Sequence, residues 1–166
     1  DVTVKLTVST TAEVATKSYT VTLTHKGVSA AGTEDFSSSV EWTLGTNAYS
    51  EKATVNGVAD VPVLKLGTAK KAGTATLKIP AGTTKVSFYG VAWKGKTATI
   101  KASVGETQVA TQALAANEGA TSNSPYKLAV EDTDKYTITL PAKLEAETEV
   151  TVTTTTNARA ILFAIR

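Results

Sequence analysis

The chain has 166 residues, a formal net charge of +2 from 17 basic and 15 acidic residues, and no cysteine. This length suffices for a domain with a sizeable core. The evenly mixed charge excludes a basic face for nucleic acid, and the lack of cysteine excludes disulfides, thiolate zinc sites and cysteine nucleophiles. No stretch is apolar over the ~18 residues that a spanning helix requires, so we expect no membrane span in this chain.

The N-terminus and the threonine content both bear on location. Because methionine is absent, we expect Asp1 to begin a processed or trimmed chain. About one residue in five is threonine, a β-branched residue that suits a half-buried pleated surface. A cysteine-free chain rich in Thr, Ala, Gly and Val is typical of a bacterial secreted or surface module, so we expect an extracellular or outer-surface location.

Alternation of apolar and polar residues recurs along the chain and predicts strands with one wet face. It runs through VTVKLTV at 2–8, YTVTL at 19–23, ATLKI at 75–79, ATIKA at 98–102, YTITL at 136–140 and VTV at 150–152. Turn signals such as Asn56-Gly57 and Lys94-Gly95 separate the strands. The pattern gives about ten to twelve strands and predicts an all-β fold, an antiparallel β-sandwich of jelly-roll type.

We expect residues 1–166 to form a single β-sandwich domain. The long loop GVSAAGTED leaves a boundary near residues 27–36 open, and with it the question of whether residues 1–24 join the same sandwich. TQALAAN at 111–117 continues a strand into a loop, whereas AKLEAE at 142–147 is compatible with one helical turn. Neither segment has the length and apolar stripe of a regular helix.

From Leu64 onward the order of motifs is similar to that of a known module. LKLGT at 64–68 precedes GTATLKIPAGTTKVSFYGVAWKGK at 73–96, NEGATSNSPY at 117–126, DTDKYTITL at 132–140 and RAILFAI at 159–165. This order resembles a jelly-roll-like β-sandwich module of secreted and surface proteins of gut Bacteroidetes, over about residues 64–166. The resemblance implies a surface module whose relatives are often carbohydrate-binding or adhesion modules, but it carries no functional residues onto this sequence.

Catalytic groups are sparse. A Ser–His–acid set needs a histidine, and the sequence holds only His25, at a strand end beside a turn. The carboxylates that could pair for glycoside hydrolysis are Glu41, Glu118, Glu131, Asp132 and Asp134. Glu41 alternates outward and the others lie in short polar loops, whereas a catalytic acid needs an apolar cleft that raises its pKa. We therefore expect no enzymatic activity.

Two loops carry oxygen ligands that suit calcium. EDTD at 131–134 lies on one loop, and Asn117, Glu118 and Asn123 lie on the other. A structural calcium ion requires that the two loops meet and together supply its ligands. The simpler expectation is a solvated turn in which the aspartates accept backbone N–H bonds, so we predict no cofactor.

The stretch VSFYGVAWKGK at 86–96 holds the densest group of rings in the chain. Strand parity puts Phe88 in the core, and Tyr89 and Trp93 on the opposite face, roughly 13 Å apart at ~3.3 Å per residue. Such rings are core if a loop or residues 1–24 cover them. They are a stacking platform for sugar rings if they lie open at the sandwich rim.

Two functions follow from these alternatives. The first is a non-catalytic extracellular carbohydrate-binding module that stacks sugars on rim aromatics. Its expected ligand-binding residues are Trp93, Tyr89, Tyr126, Lys94, Lys96, Asn117 and Asn123. The second is a structural or adhesive module of a surface lipoprotein, whose partner is another surface protein. An open aromatic cluster favours the first, and a buried Trp93 favours the second.

Overall fold

The computed structural model describes residues 34–140 and 142–166. The first two predicted strands, His25 and most of the loop near 27–36 lie outside these residues. A single domain over residues 1–166 therefore stays a prediction.

The described residues form eleven strands in two sheets. The strands are β1 (Glu41–Leu44), β2 (Ala48–Val55), β3 (Val58–Leu66), β4 (Thr74–Ile79), β5 (Lys85–Ala92), β6 (Ala98–Val104), β7 (Thr107–Leu114), β8 (Tyr126–Leu128), β9 (Lys135–Thr139), β10 (Thr148–Thr154) and β11 (Ala160–Phe163). The five-stranded sheet has the order β1-β4-β10-β6-β7, and the six-stranded sheet has the order β8-β2-β3-β11-β5-β9.

This architecture confirms the predicted all-β sandwich of jelly-roll type. Among the pairings of the described strands, one departs from the antiparallel pattern, because β8 runs parallel to β2. The helical turn considered at 142–147 is wrong for the residues that the structure describes there, and the helical turn that does form is a 3₁₀ turn at Asp132–Asp134. No helix in the described residues is long and apolar enough to cross a membrane.

The five-stranded sheet follows the alternating pattern closely. In β4, for example, Ala75, Leu77 and Ile79 are buried between the sheets, whereas Lys78 on the other face is exposed. Threonines dominate the outer face, where Thr74 and Thr153 approach to 3.4 Å between hydroxyl oxygens. One face of this sheet therefore supplies core, and the other meets solvent.

The six-stranded sheet is buried on both faces. β11 shows this directly: Leu162 packs between the sheets, while Ile161 and Phe163 belong to a second apolar cluster on the outer face. β5 behaves in the same way, with Phe88 inside and Val91 outside. The two stretches that the sequence shows as apolar on both faces are thus covered on both sides.

Residues 115–131, which we call the covering segment, lie over part of this outer face. The backbone N–H of Ala92 donates to Ala115 at 2.7 Å, and the N–H of Lys94 donates to Ala120 at 2.9 Å. The segment then crosses the sheet to β8. Its apolar side chains Ala120, Tyr126, Leu128 and Val130 pack into the outer cluster. Of the two covers considered above, the loop is the one that the structure describes.

Candidate functional site

One end of the outer face of the six-stranded sheet gathers rings and charged groups. We call this group the Tyr49 cluster. Its members are Tyr49, Glu51, Lys65, Trp93, Tyr126 and Arg159, contributed by β2, β3, the ends of β5 and β11, and the covering segment.

Strand register brings these residues together. Tyr49 and Lys65 are direct partners in the β2–β3 ladder. Trp93 extends β5 and Arg159 precedes β11, and the backbone N–H of Trp93 donates to the carbonyl of Arg159 at 3.2 Å. Direct partners on one face of an antiparallel pair hold their side chains in contact range. The sheet itself therefore fixes the spacing of the cluster.

Trp93 is the buried base of the cluster. It is only 8% exposed. The guanidinium carbon of Arg159 lies 3.8 Å from its ring centroid, and the ring of Tyr126 meets it edge-on at 5.9 Å. Tyr126 itself is 3% exposed. Neither ring offers the open face that stacking on a sugar requires.

Glu51 joins two members of the cluster. Its carboxylate accepts a hydrogen bond from the Tyr126 hydroxyl at 2.5 Å and pairs with the Lys65 ammonium at 3.4 Å. Burial, followed by the bond to Glu51, raises the pKa of Tyr126 well above its usual value. The phenol therefore stays protonated and keeps donating to Glu51 across the physiological range.

Lys65 links the two aromatic parts of the cluster. Its ammonium lies 4.5 Å from the ring centroid of Tyr49 and 5.8 Å from that of Trp93. Both distances are within the range of cation–π attraction. The open ring and the buried ring are therefore neighbours around one positive charge.

Arg159 differs from Lys65 because, within the part of the chain that the structure describes, its guanidinium has no carboxylate partner. Among the described residues, no acceptor takes a hydrogen bond from its guanidinium, although the group stacks on Trp93. Its side chain is half-buried, and this burial lowers its pKa. A partly desolvated guanidinium with unused N–H donors would gain from an acceptor supplied by a ligand.

Tyr49 is the open ring of the cluster. It is 41% exposed, one of the two large apolar side chains that stand out from the described surface. The arrangement is thus an accessible phenol ring beside the Lys65 ammonium, in a cluster that also holds the Glu51 carboxylate and the Arg159 guanidinium. Such a surface can bind an amphipathic ligand by stacking and by hydrogen bonds.

The structure brings together only part of the predicted site. Trp93 and Tyr126 are in contact, whereas Tyr89 lies farther along the same sheet face, stacked on Phe163 at 5.5 Å and edge-on to Phe36. Burial raises the pKa of Tyr89. Its depression holds about 220 Å³ and is lined by Phe36, Lys135 and Arg166 among others. Tyr89 therefore lies outside the Tyr49 cluster.

The four polar residues predicted for the site are distributed differently. Lys94 and Lys96 are exposed in the turn after Trp93, and Lys94 pairs with Glu118 at 2.8 Å. Asn117 is buried, where its amide donates to the carbonyl of Ala129 at 2.6 Å. Its carbonyl oxygen accepts from the N–H of Gly119 at 3.0 Å. Asn117 is thus engaged in holding the covering segment.

Asn123 is exposed on the covering segment, where its backbone N–H donates to the Thr121 hydroxyl at 3.3 Å. The role of all seven predicted residues in ligand binding stays a prediction. Four members of the Tyr49 cluster were not among them: Tyr49, Glu51, Lys65 and Arg159. The signal available for two of them is parity, because Tyr49 and Glu51 alternate with Ser50 and Lys52 on β2.

The acidic loops form a turn in the described structure. Asp134 accepts the backbone N–H of Glu131 at 3.0 Å in a capping box around the 3₁₀ turn. The loops do approach each other through Asn117 and Ala129. Within residues 34–140 and 142–166, however, no group of three or more acidic or histidine side chains is placed to hold a metal ion.

Two other depressions lie away from the cluster. One of about 380 Å³ is lined by Trp42 and Pro62 beside β1, and Trp42 also packs against the core. The other, of about 370 Å³, is lined by Pro80, Thr83 and Arg166 among others and contains no ring. Among the described residues, the Trp42 depression is thus a second candidate place for stacking on a sugar.

Neither a protein-family model nor a curated protein sequence matches this chain. Solved structures that resemble it include the carbohydrate-binding module TmCBM61 in complex with β-1,4-galactotriose, at a TM-score of 0.42 and 14% identity over 77% of this chain and 86% of that one. The module CBM36 in complex with calcium and xylotriose has a TM-score of 0.40 and 13% identity, over 77% of this chain and 92% of that one.

The CBM22-1–GH10 modules of Clostridium thermocellum xylanase 10B, complexed with xylohexaose, have a TM-score of 0.45 and 17% identity. Here the match covers 75% of this chain and 25% of the other. These neighbours are carbohydrate-binding β-sandwiches, but with identities this low and TM-scores below 0.5 no ligand or site is transferred from them to this chain.

Proposed function

We propose that this protein is a non-catalytic carbohydrate-binding module that acts outside the cell, and that its glycan binds at the Tyr49 cluster. The observation that carries the proposal is one open ring, Tyr49, held beside charged groups whose positions the sheet and the buried rings fix.

A sugar needs two kinds of contact, and the cluster supplies both. The apolar face of a pyranose packs on an aromatic ring, and its hydroxyls exchange hydrogen bonds with nearby polar groups. Tyr49 supplies the ring, while Glu51 supplies acceptors and Lys65 supplies donors. An open ring on a sheet face can accept one part of a long chain, so polysaccharides are the ligand class that we expect.

In this proposal Trp93 and Tyr126 act as supports. Trp93 carries Arg159 on its ring, and Tyr126 orients Glu51 through its hydroxyl. Lys94 and Lys96 follow Trp93 in an exposed turn, and we propose them as further contacts for a longer glycan. Pre-organised polar groups lose little freedom on binding, which favours affinity.

The test is a panel of plant, fungal and bacterial polysaccharides screened by affinity gel electrophoresis. Tyr49→Ala is compared with Leu44→Ala, a matched control because Leu44 is 45% exposed on the other sheet. Both variants must melt like the parent. We expect Tyr49→Ala to weaken binding at least about tenfold, or about 1.4 kcal/mol, and Leu44→Ala to leave it unchanged. Retained binding in Tyr49→Ala would remove the proposed site.

Burial of Trp93 and Tyr126 favours the second candidate, a structural or adhesive module of a surface protein. In that case the rings serve to attach the covering segment, and the Thr-rich outer face of the five-stranded sheet is a plain solvated surface. A folded protein that no polysaccharide in the panel retards would make this the leading function.

A further inference from the structure

We infer that the glycan bound at the Tyr49 cluster is anionic, with a carboxylate or a sulfate on its sugars, and that Arg159 is the residue that binds this group. The inference rests on the proposed function, because it specifies the ligand class of the same site. It starts from the imbalance of charge within the cluster.

The cluster holds two cations and one carboxylate, and the carboxylate is already occupied. Glu51 accepts from the Tyr126 hydroxyl and pairs with Lys65. Among the described residues, nothing accepts a hydrogen bond from Arg159. The local surplus of one positive charge therefore lies at the guanidinium.

The position of Arg159 suits recognition of an oxyanion. Its guanidinium carbon is 3.8 Å from the Trp93 ring centroid, and stacking on an aromatic ring leaves the N–H donors at the guanidinium edge directed outward. Those donors form a planar fork that matches two oxygens of one carboxylate or sulfate. A lysine presents a point charge with no such geometry.

The partial burial of Arg159 strengthens its preference for an anionic ligand over a neutral one. Arg159 is half-buried against Trp93, and burial lowers its pKa because the charged form is partly desolvated. An anion that replaces the lost water stabilises this charge more than a neutral hydroxyl does. Lys65 adds a second positive charge to the same cluster, with its ammonium 5.8 Å from the same ring.

The test compares polymers that differ only in charge. Polygalacturonate is paired with its fully methyl-esterified form, and dextran sulfate is paired with dextran, each in a calorimetric titration at low and at moderate salt. The proteins are the parent, Arg159→Lys, Arg159→Gln, Tyr49→Ala, and Lys101→Gln as a control. Lys101 is an exposed cation on β6 of the other sheet.

We expect one anionic polymer to bind at least about tenfold more tightly than its neutral partner, and the pair that responds identifies carboxylate or sulfate. Arg159→Gln should lose most of that preference. Arg159→Lys should lose a large part of it, because the charge remains but the fork does not. Lys101→Gln should keep it. Added salt should weaken the anionic arm, because exposed charges are screened.

Three results would overturn the inference, and they separate it from the proposed function. If the parent protein binds the charged and the neutral polymer of each pair equally, the inference of an anionic glycan is wrong, and no variant is needed to show it. If folded Arg159 variants keep the preference for the anionic polymer while Tyr49→Ala loses binding, Arg159 is not the residue that binds the anion, and the carbohydrate site at Tyr49 stands. Lack of binding to every polymer in this test and in the wider panel removes both proposals.

Discussion

The outer faces of the two sheets differ sharply, although both sheets enclose the same core. On the five-stranded sheet the outer face is formed by Thr, Ser and Lys, as on β6, where half-buried Thr99 and Ser103 and exposed Lys101 alternate with buried Ala98 and Ile100. On the six-stranded sheet the outer face carries a second apolar cluster, which the covering segment overlies in part. The outer face of the five-stranded sheet therefore meets solvent, whereas the outer face of the six-stranded sheet packs against a further layer of chain.

The difference shows where a binding site can form on this protein. A face of half-buried threonines offers no large apolar surface for a ligand. The covered face is apolar and rigid, and it is left open near Tyr49, so rings and charged groups meet there on a fixed base. Binding sites combine an apolar surface with a few placed polar groups, and of the two outer faces the covered one has both.

Truncation of a buried ring in the second apolar cluster should produce the largest effect. Phe163 is fully buried on the outer face and contacts Phe36 and Tyr89. Phe163→Ala should cost about 3–5 kcal/mol in free energy of unfolding, because a cavity forms. Thr151→Ala on the other outer face should cost less than about 1 kcal/mol. Urea unfolding measures the free energy of unfolding of both variants. Equal losses would show that the two outer faces do not differ in their contribution to stability.

The tie between Tyr126 and Glu51 should have the next largest effect. Tyr126→Phe leaves Glu51 without its phenol donor and should cost about 1.5–3 kcal/mol at neutral pH, the range for hydrogen bonds to charged groups. Urea unfolding measures the loss. A cost below about 0.5 kcal/mol would show that the tie does not stabilise the cover.

Tyr126 should also make the free energy of unfolding fall at alkaline pH. Its pKa is raised in the folded state, so its contribution to stability is complete below its unfolded pKa of about 10 and declines as pH rises above that value. Unfolding free energies between pH 8 and pH 11 should show a smaller decline in Tyr126→Phe. Tyr89 and Tyr136, whose pKa values are raised as well, should sustain the remainder.

A methyl group at Gly119 should loosen the cover itself. A Cβ there would overlap the carbonyl oxygen of Lys127 in β8, so the turn at Gly119 and β8 would have to separate. Gly119→Ala should cost about 1–3 kcal/mol by overpacking and expose apolar surface, measured as increased binding of a hydrophobic dye. Gly95→Ala, where a Cβ would meet no atom within 4 Å but φ is +65°, tests backbone strain without a clash.

The smallest effect is expected at an exposed ion pair. Lys52 and Asp60 pair at 3.1 Å with side chains that are mostly exposed. Lys52→Ala should change the free energy of unfolding by no more than about 0.5 kcal/mol, because water and salt screen such pairs. A loss above about 1 kcal/mol in a urea titration would show that the Lys52–Asp60 pair stabilises the fold more than its exposure indicates.

Much of the sandwich was predictable from the sequence, because alternation reports which side chains face the core. β4, β6 and β10 follow their patterns residue by residue, and the continuous apolar runs of β5 and β11 correctly predict two covered faces. The cover was not predictable in detail. Residues 115–131 have no period, and the parallel pairing of β8 with β2 depends on contacts far apart in the sequence.

The site was less predictable than the fold, for a reason that Trp93 illustrates. Its parity correctly places it outside the inter-sheet core, but whether it lies open depends on Tyr126 and Arg159, each more than 30 residues away in the sequence. Tyr49 shows the converse. It resembles a loop residue beside the Asn47 turn, yet it is the second residue of β2 and the open ring of the cluster.

The central claim is that a glycan contacts the outer face of the six-stranded sheet at Tyr49. Amide NMR shifts recorded during titration with an oligosaccharide of the tightest-binding polysaccharide test it most directly. We predict saturable shifts at residues 49–51, 65 and 159, next to the ring and its charged neighbours. Shifts confined to the Trp42 depression, to the outer face of the five-stranded sheet, or to neither sheet would contradict the claim.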